Sequence, residues 1–271
     1  MKVIGIIPAR MASSRFPGKP LAPILGVPMI GHVFFRSRMS RRLDEVYVAT
    51  CDEEIAAYVR SIGGQSVLTA STHERASDRT AEAVSIVERL TGSSTDIVVM
   101  IQGDEPMIVP SMIDEAVASM VEDEAVLVVN LMSRLHSRQE QEDVNEVKVV
   151  VDQQQFALYF SREPIPSWKK GAKDLPMYKQ VCVIPFRREF LTRFQALPPT
   201  PLEIVESIDM LRVLEHGEQV KMVETKNITY SVDTEADLRR VEALMERDPL
   251  LPRYRGMKTS GLRGPVGVEG S

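Results

Sequence analysis

Short apolar runs alternate with segments of helical periodicity along the first hundred residues. The runs that predict buried strands cover residues 2–9, 45–50, 65–69 and 96–102. Apolar positions at helical spacing predict helices after Pro28, over residues 53–62, over residues 79–90 and after Pro110. Strands that alternate with helices in this way predict an α/β fold in which a parallel sheet is covered by helices.

The middle of the chain is richer in strand-forming residues. Four runs, separated by polar stretches, lie at residues 125–132, 144–152, 157–161 and 178–186. We expect residues 125–200 to form a β-rich subdomain over the ligand crevice or a dimerisation arm.

Helices are predicted at about residues 201–216 and 235–247, on either side of a strand at residues 219–225. From Pro249 onward the chain contains proline, glycine and basic residues without periodicity, which predicts a flexible tail over residues 249–271. The sequence therefore predicts one domain over residues 1–248, followed by this tail.

The composition changes this picture little. Hydrophobic residues make up 44% and charged residues 26% of the 271 residues, as in ordinary globular proteins, and the net charge of -5 offers no general attraction to nucleic acid or anionic membranes. Two cysteines suggest neither a disulfide scaffold nor a zinc site, which favours a reducing cytoplasm, and no apolar stretch reaches transmembrane length.

The loop after the first predicted strand, RMASSRFPGK, gathers small and basic residues. Its candidate phosphate ligands are Arg10, Ser13, Arg15 and Lys19, because cationic side chains and the backbone N–H groups of small residues suit a triphosphate. The spacing matches neither the P-loop nor GxGxxG, which disfavours a nicotinamide dehydrogenase. Composition alone leaves a solvated loop as the alternative.

Two aspartates are candidate magnesium ligands. Asp104 in QGDEP and Asp233 in YSVDTEADL each follow a β-rich run, and magnesium is often held by one or two carboxylates together with substrate phosphates. The alternative for each aspartate alone is a turn or helix cap.

Longer motifs carry a specific resemblance. The segment IIPARMASSRFPGKPLAPILGVPMIGHV is similar to the N-terminal signature of the 3-deoxy-manno-octulosonate (Kdo) cytidylyltransferases, also called CMP-Kdo synthetases. IQGDEPMI, VKVVVD, ALYFSREPIP, PPTPLEIVESIDMLRVLEHGEQV and SVDTEADLRRVEALM resemble later stretches of the same family, in order. The resemblance covers residues 1–246.

The resemblance implies a Rossmann-like nucleotidyltransferase fold, CTP and an acid as substrates, magnesium as the cofactor, and a homodimer formed through the central β-rich region. It implies that Arg10, Ser13 and Lys19 hold the CTP phosphates, with Arg15 supporting their loop and Arg79 near the nucleotide. Catalysis is assigned to Arg10, Lys19 and Asp104, in a reaction in which a hydroxyl of the acid attacks the α-phosphate in line.

The resemblance also implies the remaining ligands. Asp104 and Asp233 would bind magnesium, whereas Gln102, Arg162, Gln180 and Glu203 would face the acceptor acid.

The chain departs from the family at two places. Residues 75–79 read RASDR where the family has SGTER, and Gln180 and Cys182 replace a histidine and a glycine. The second change makes the acceptor side smaller and differently polar. Kdo is the first expectation for the acceptor; 8-amino-Kdo or a phosphonic acid such as phosphonoformate is the alternative, and a non-catalytic nucleotide-binding protein is a further one.

Overall fold

The structure is a computed structural model that describes residues 1–12, 15–167 and 176–256. Its strands are β1 (Val3–Ala9), β2 (Pro23–Ile24), β3 (Val27–Pro28), β4 (Glu45–Thr50), β5 (Gln65–Leu68), β6 (Ile97–Ile101), β7 (Val129–Arg134), β8 (Lys148–Val151), β9 (Ala157–Ser161), β10 (Tyr178–Val181), β11 (Val183–Arg187) and β12 (Lys221–Glu224). None of the helices in these ranges is long and apolar enough to cross a lipid bilayer.

The helices are α1 (Met29–Ser37), α2 (Glu53–Ser61), α3 (Ala76–Thr91), α4 (Pro110–Glu122), α5 (Arg138–Glu142), α6 (Arg188–Ala196), α7 (Pro201–Glu206), α8 (Asp209–Glu215) and α9 (Glu235–Met245). Short 3₁₀ helices lie at Lys19–Leu21 and Leu251–Arg253.

The first sheet has the strand order β11-β6-β1-β4-β5. Its strands β6, β1, β4 and β5 are parallel, and β11 runs antiparallel along β6. Ile4, Ile6 and Ile7 of the central strand β1 are fully buried, because apolar clusters cover both faces of the sheet. This arrangement confirms the predicted α/β fold with a mostly parallel sheet.

The second sheet has the order β12-β7-β10-β8-β9 and is mainly antiparallel, with only β12 and β7 paired in parallel. The run predicted as one strand over residues 178–186 divides at Cys182, so that β10 belongs to the second sheet and β11 to the first. Strand β12 joins the second sheet from outside residues 125–200. The β-rich region is therefore interleaved with the rest of the fold.

The helix predicted over residues 201–216 is two helices. Ser207 adopts a left-handed conformation (φ 55°, ψ 49°), which ends α7 before α8 begins at Asp209. Helix α3 begins earlier than predicted, at Ala76, and helix α6 was not predicted.

The prediction of a tail from residue 249 is wrong for residues 249–256. Leu251 and Tyr254 are buried, and Tyr254 stacks on Phe35 of α1 at 5.4 Å between ring centroids. Residues 257–271 of the predicted tail lie outside the described residues.

Candidate active site

A cavity of about 480 Å³ opens at the carboxyl ends of β1 and β6. Its walls include Arg10 after β1, Asp104 after β6, and Lys179 and Gln180 on β10 of the second sheet. The carboxyl ends of parallel strands are the usual ligand-binding edge of an α/β sheet. Both sheets therefore contribute to the candidate site.

Most of the residues predicted from the sequence line this cavity. They are Arg10, Arg15, Lys19, Arg79, Gln102, Asp104, Arg162, Gln180 and Asp233. Ser13 lies outside the described residues. Glu203 does not line the cavity.

Lys19 lies between the two candidate metal ligands. Its Nζ is 3.0 Å from Asp104 Oδ2, 3.3 Å from Asp233 Oδ1 and 2.7 Å from the carbonyl oxygen of Val232. Gly18 precedes it at φ +75°, a conformation that glycine adopts without strain, and starts the 3₁₀ helix that holds the lysine. The lysine is thus fixed by three acceptors.

The loop also supplies two arginines. Arg15 donates to Asp233 Oδ1 at 3.0 Å and to Asn145 Oδ1 at 2.6 Å, so it spans the mouth of the cavity. Arg10 is exposed, and no residue in the described part of the chain is recorded as a partner of its guanidinium. These cations face the space in which a phosphate chain would find charge-assisted hydrogen bonds.

The two aspartates are held at a set spacing by the backbone. The N–H of Val232 donates to the carbonyl oxygen of Asp104 at 2.9 Å. A Cβ at Gly103 would lie 3.0 Å from the Pro8 carbonyl oxygen, so glycine allows the turn to pass close to the end of β1.

Capping does not explain Asp233. Thr234 is the N-cap of α9, and its hydroxyl and Asp237 form the capping box, which leaves the Asp233 carboxylate to Arg15 and Lys19. In the described ranges no group of three or more His, Cys, Asp or Glu residues could enclose a metal ion. Two carboxylates beside a phosphate site are nevertheless a donor set that suits magnesium, because this ion keeps water and substrate oxygens as its other ligands.

Arg79 stabilises a loop that forms part of the cavity wall. Its guanidinium donates to Thr69 Oγ1 at 2.5 Å and to the carbonyl oxygens of Ala70 and His73, both at 3.4 Å. It is 2% exposed. Arg79 therefore braces the loop between β5 and α3 that lines the cavity.

Arg162 connects three segments beside the cavity. Its Nε donates to the Glu206 carbonyl oxygen at 2.7 Å and its Nη1 to the Val144 carbonyl oxygen at 2.9 Å. The backbone N–H of Gln102 donates to the Cys182 carbonyl oxygen at 3.1 Å, which links the end of β6 to the junction of β10 and β11.

The expectation that Glu203 faces the acceptor is wrong. Its carboxylate accepts two hydrogen bonds from Arg212, at 2.7 and 2.6 Å, and it closes the capping box of α7 with Thr200. Glu203 is 1% exposed. Since both oxygens are taken up inside the protein, the residue supports the helix that borders the site.

Asp209 is a cavity residue that sequence reasoning missed. Its Oδ2 accepts from the hydroxyl of Ser77 at 2.6 Å, its Oδ1 is 3.4 Å from Arg75, and burial raises its pKa. The only signal would have been the break between α7 and α8, which the continuous apolar periodicity concealed.

The sequence also did not predict a group of titratable side chains around the junction of the two sheets. Burial and the nearby Asp104 raise the pKa of Glu105 to about 7, and its Oε1 accepts from the N–H of Cys182 at 3.2 Å. Burial also raises the pKa of the Cys182 thiol, which argues against a thiolate nucleophile. Lys179 pairs with Glu146 at 2.9 Å on the same wall.

Comparison with known proteins shows to which family the chain belongs. A cytidylyltransferase family model matches residues 4–226. The 3-deoxy-manno-octulosonate cytidylyltransferase of Geobacter metallireducens is 43% identical over 257 residues, 91% of this chain and 99% of that protein. The enzyme of the same name from Syntrophobacter fumaroxidans is 44% identical over 249 residues, 92% of this chain and 98% of that protein.

A solved structure supports the same family assignment. CMP:2-keto-3-deoxy-manno-octonic acid synthetase complexed with CTP has a TM-score of 0.82 to this chain and 38% identity, and the match covers 91% of this chain and 99% of that one. The chain belongs to the cytidylyltransferase family, as a nucleotidyltransferase enzyme of the 3-deoxy-manno-octulosonate cytidylyltransferase group.

Proposed function

We propose that this enzyme transfers CMP from CTP to Kdo and releases pyrophosphate. The observation that carries the proposal is the position of Lys19 between Asp104 and Asp233, beside Arg10 and Arg15, at the carboxyl ends of β1 and β6. This arrangement combines cations for a triphosphate with carboxylates for a metal ion. The relatives named above are called Kdo cytidylyltransferases, which favours Kdo as the acceptor.

The chain's residues contribute charge and position to the transfer. Arg10 and Lys19, together with Ser13, would hold the phosphates of CTP, and Arg15 would keep the loop over them. A hydroxyl oxygen of the acid forms a bond to the α-phosphorus and gives up its proton to solvent, while the bond from the α-phosphorus to the oxygen of the β-phosphate breaks and pyrophosphate leaves. Fixed cations stabilise the negative charge that accumulates on the phosphate oxygens.

Magnesium fits the two aspartates. Asp104 and Asp233 would hold the ion with one carboxylate each, leaving its other positions to phosphate oxygens and water. When bound, the ion neutralises phosphate charge and acts as a Lewis acid. Lys19, which now contacts both carboxylates, would then be directed to the phosphates.

The acceptor would occupy the part of the cavity bordered by Gln102, Arg162 and Gln180. Arg162 is held by two backbone carbonyl oxygens, so its guanidinium is fixed in direction before the acid arrives. A fixed guanidinium recognises a carboxylate through charge-assisted hydrogen bonds.

A homodimer is part of the proposal. Strand β9 is the edge of the second sheet and carries the exposed Leu158, and Glu206 of the neighbouring α7 accepts a hydrogen bond from Ser161 of β9. Helix α7 adds Ile204 and Val205, the latter 83% exposed. An edge strand beside exposed apolar side chains suits burial against a second copy of the chain, and analytical ultracentrifugation measures the resulting mass.

A pyrophosphate-release assay tests the function. We expect turnover with CTP and Kdo, much weaker release with UTP, and weaker turnover of 8-amino-Kdo and phosphonoformate. Lys19→Met should abolish turnover, whereas the matched control Lys226→Met, at an exposed position away from the cavity, should not change it. Efficient use of phosphonoformate without use of Kdo would contradict the proposed acceptor.

A further inference from the structure

The side-chain amide of Gln180 contacts a second, buried amide. Gln180 on β10 donates from Nε2 to Oδ1 of Asn130 on the neighbouring strand β7, at 2.5 Å. Asn130 is fully buried, whereas Gln180 lines the cavity. The two amides therefore form a short chain of hydrogen bonds from the interior to the candidate acceptor site.

Hydrogen bonds to backbone carbonyl oxygens determine the orientation of both amides. Asn130 Nδ2 donates to the carbonyl oxygens of Leu131 at 3.0 Å and Val181 at 2.7 Å. A carbonyl oxygen can only accept, so the NH₂ of Asn130 must face these two groups and its Oδ1 must face Gln180. Gln180 must then turn its own NH₂ toward Asn130.

The carbonyl oxygen of the Gln180 amide is the hydrogen-bond acceptor that remains for a ligand. The described residues contain no recorded donor to Gln180 Oε1, and the side chain is only partly buried on the cavity wall. A freely rotating glutamine could present either end of its amide at a given point, but in this one Oε1 is fixed away from Asn130, with the second N–H of Nε2 as the donor that remains beside it.

We propose that Asn130 positions Gln180 as a hydrogen-bond acceptor in the acceptor half of the cavity, so that the enzyme selects an acid carrying a hydroxyl or ammonium donor at that point. The inference rests on the proposed function, because it takes the cavity to bind the acceptor. Gln180 is the specificity-determining residue, and Asn130 is a positioning residue that acts through it.

The expected selectivity follows from desolvation. An acid that has a donor at this point replaces the water on Oε1 with an equivalent hydrogen bond. An analogue that lacks the donor leaves Oε1 without a partner once the site has closed around it. Sites of this kind reject the analogue by about 10-fold to several hundred-fold in kcat/KM.

Removing the Gln180 amide is the first test. Gln180→Met keeps a side chain of similar length, and we expect the KM for Kdo to rise by about 10-fold or more, with the KM for CTP within about twofold of the wild type. Gln153→Met is the matched control, since Gln153 is exposed in the turn between β8 and β9 and lies outside the cavity. An unchanged KM for Kdo in Gln180→Met would overturn the inference.

A histidine at this position gives a readout that depends on the direction of the hydrogen bond. In Gln180→His the ring would donate one N–H to Asn130 and present its other nitrogen to the cavity, as an acceptor when neutral and as a donor when protonated. Charged side chains that line the cavity from the second sheet and from the end of β6 include Lys179, Glu146, Arg162, Asp104 and Glu105. We expect Kdo turnover near the wild-type value at pH 8 and a steeper loss than in the wild type below about pH 6.5.

Asn130 is tested in combination with Gln180. Asn130→Ala should raise the KM for Kdo about fivefold in the wild type and leave it unchanged in the Gln180→Met background, because a positioning residue has no effect once its target is gone. Equal effects in both backgrounds would show a general structural role and overturn the assignment of Asn130.

Wild-type activity separates the two proposals. A wild-type enzyme that turns over none of the acids with CTP rejects the proposed function, and the acceptor role of Gln180 with it. A wild-type enzyme that uses Kdo while Gln180→Met binds it equally well rejects only the inference about Gln180.

Discussion

Lys19 shows how single side chains prepare the site for its substrate. Its ammonium group is held by Asp104, Asp233 and the carbonyl oxygen of Val232, so its position is set before a nucleotide binds. The hydrogen bond to the Val232 carbonyl oxygen does not depend on the carboxylates, so it can keep the ammonium group beside the phosphates when a metal ion binds. The carboxylates of the same cluster are the groups that a metal ion would take over.

Substitution of either aspartate by asparagine should reduce kcat by about 100-fold or more, because a neutral amide is a poor ligand for a hard cation. Steady-state pyrophosphate release with saturating CTP measures the effect for Asp104→Asn and Asp233→Asn. Asp237→Asn is the matched control, since Asp237 belongs to the capping box of α9 and should cost about 1 kcal/mol of stability without loss of activity. Full activity in Asp104→Asn or Asp233→Asn would exclude that residue as a metal ligand.

At the residue scale, the sequence was sufficient to predict which loop residues line the cavity, but not how the side chains of α7 and α8 are paired. Arg10 and Asp104 come just after β1 and β6, and Lys19 lies at the end of the loop that follows β1, so that the topology brings them to one edge of the sheet. Glu203 and Asp209 lie on helices whose break could not be recognised. A sequence does not show that Glu203 is paired with Arg212, nor that Asp209 reaches Ser77 across the fold.

At the element scale, the junction of β10 and β11 connects the two sheets to the site. Cys182 donates its N–H to Glu105 and accepts from the N–H of Gln102, so the chain changes sheets beside the end of β6. The apolar runs of β10 and β11 look like one strand in the sequence, because Val181, Cys182 and Val183 at the break are not turn residues. Only the pairing partners reveal the division.

The buried ion pair between Glu203 of α7 and Arg212 of α8 leads to a prediction about the stability of the protein. In Glu203→Gln the capping box of α7 can still form, but Arg212 loses its only recorded carboxylate partner among the described residues while remaining buried. An unpaired buried charge costs about 3 kcal/mol or more, so urea unfolding should show a loss of this size with the KM for Kdo unchanged.

A control separates this loss from general effects of removing a carboxylate. Glu235→Gln removes an exposed charge that pairs with Arg239 on α9 and should change the unfolding free energy by less than about 0.5 kcal/mol. If Glu203→Gln instead raised the KM for Kdo at unchanged stability, Glu203 would be an acceptor ligand after all.

At the scale of the whole molecule, the alternation of strands and helices was sufficient to predict the α/β fold. The same reasoning failed at the C-terminal segment, because Leu251 and Tyr254 are isolated apolar residues among proline, glycine and arginine. The burial of Tyr254 depends on contacts with α1, more than two hundred residues earlier in the chain. Patterns within a short window carry no information about such distant contacts.

The C-terminal segment is joined to α1 by a buried hydrogen-bond network. His32 Nε2 faces the carbonyl oxygen of Ile24 at 2.9 Å, so this nitrogen must carry the proton, and Nδ1 accepts from the hydroxyl of Tyr254 at 2.8 Å. Arg36 donates to the same hydroxyl at 3.0 Å and pairs with Asp248 at 3.0 Å. A second proton on His32 would place two donors against one hydroxyl and a positive charge beside Arg36.

The pH dependence of stability tests this network. Burial, together with the charge of Arg36, lowers the pKa of His32 to about 4 from its ordinary value of 6.5, so between these values the unfolded chain binds a proton that the folded protein does not. The contribution of His32 is therefore complete above pH 6.5 and decreases as the pH falls toward 4, by about 3 kcal/mol over the whole window. Urea unfolding at pH 7, 6 and 5 should show a shallower decline in His32→Gln than in the wild type, whereas His136→Gln, at an exposed position, should keep the wild-type slope. Identical slopes in His32→Gln and the wild type would mean that folding does not lower the pKa of His32, and would contradict the role assigned to its burial.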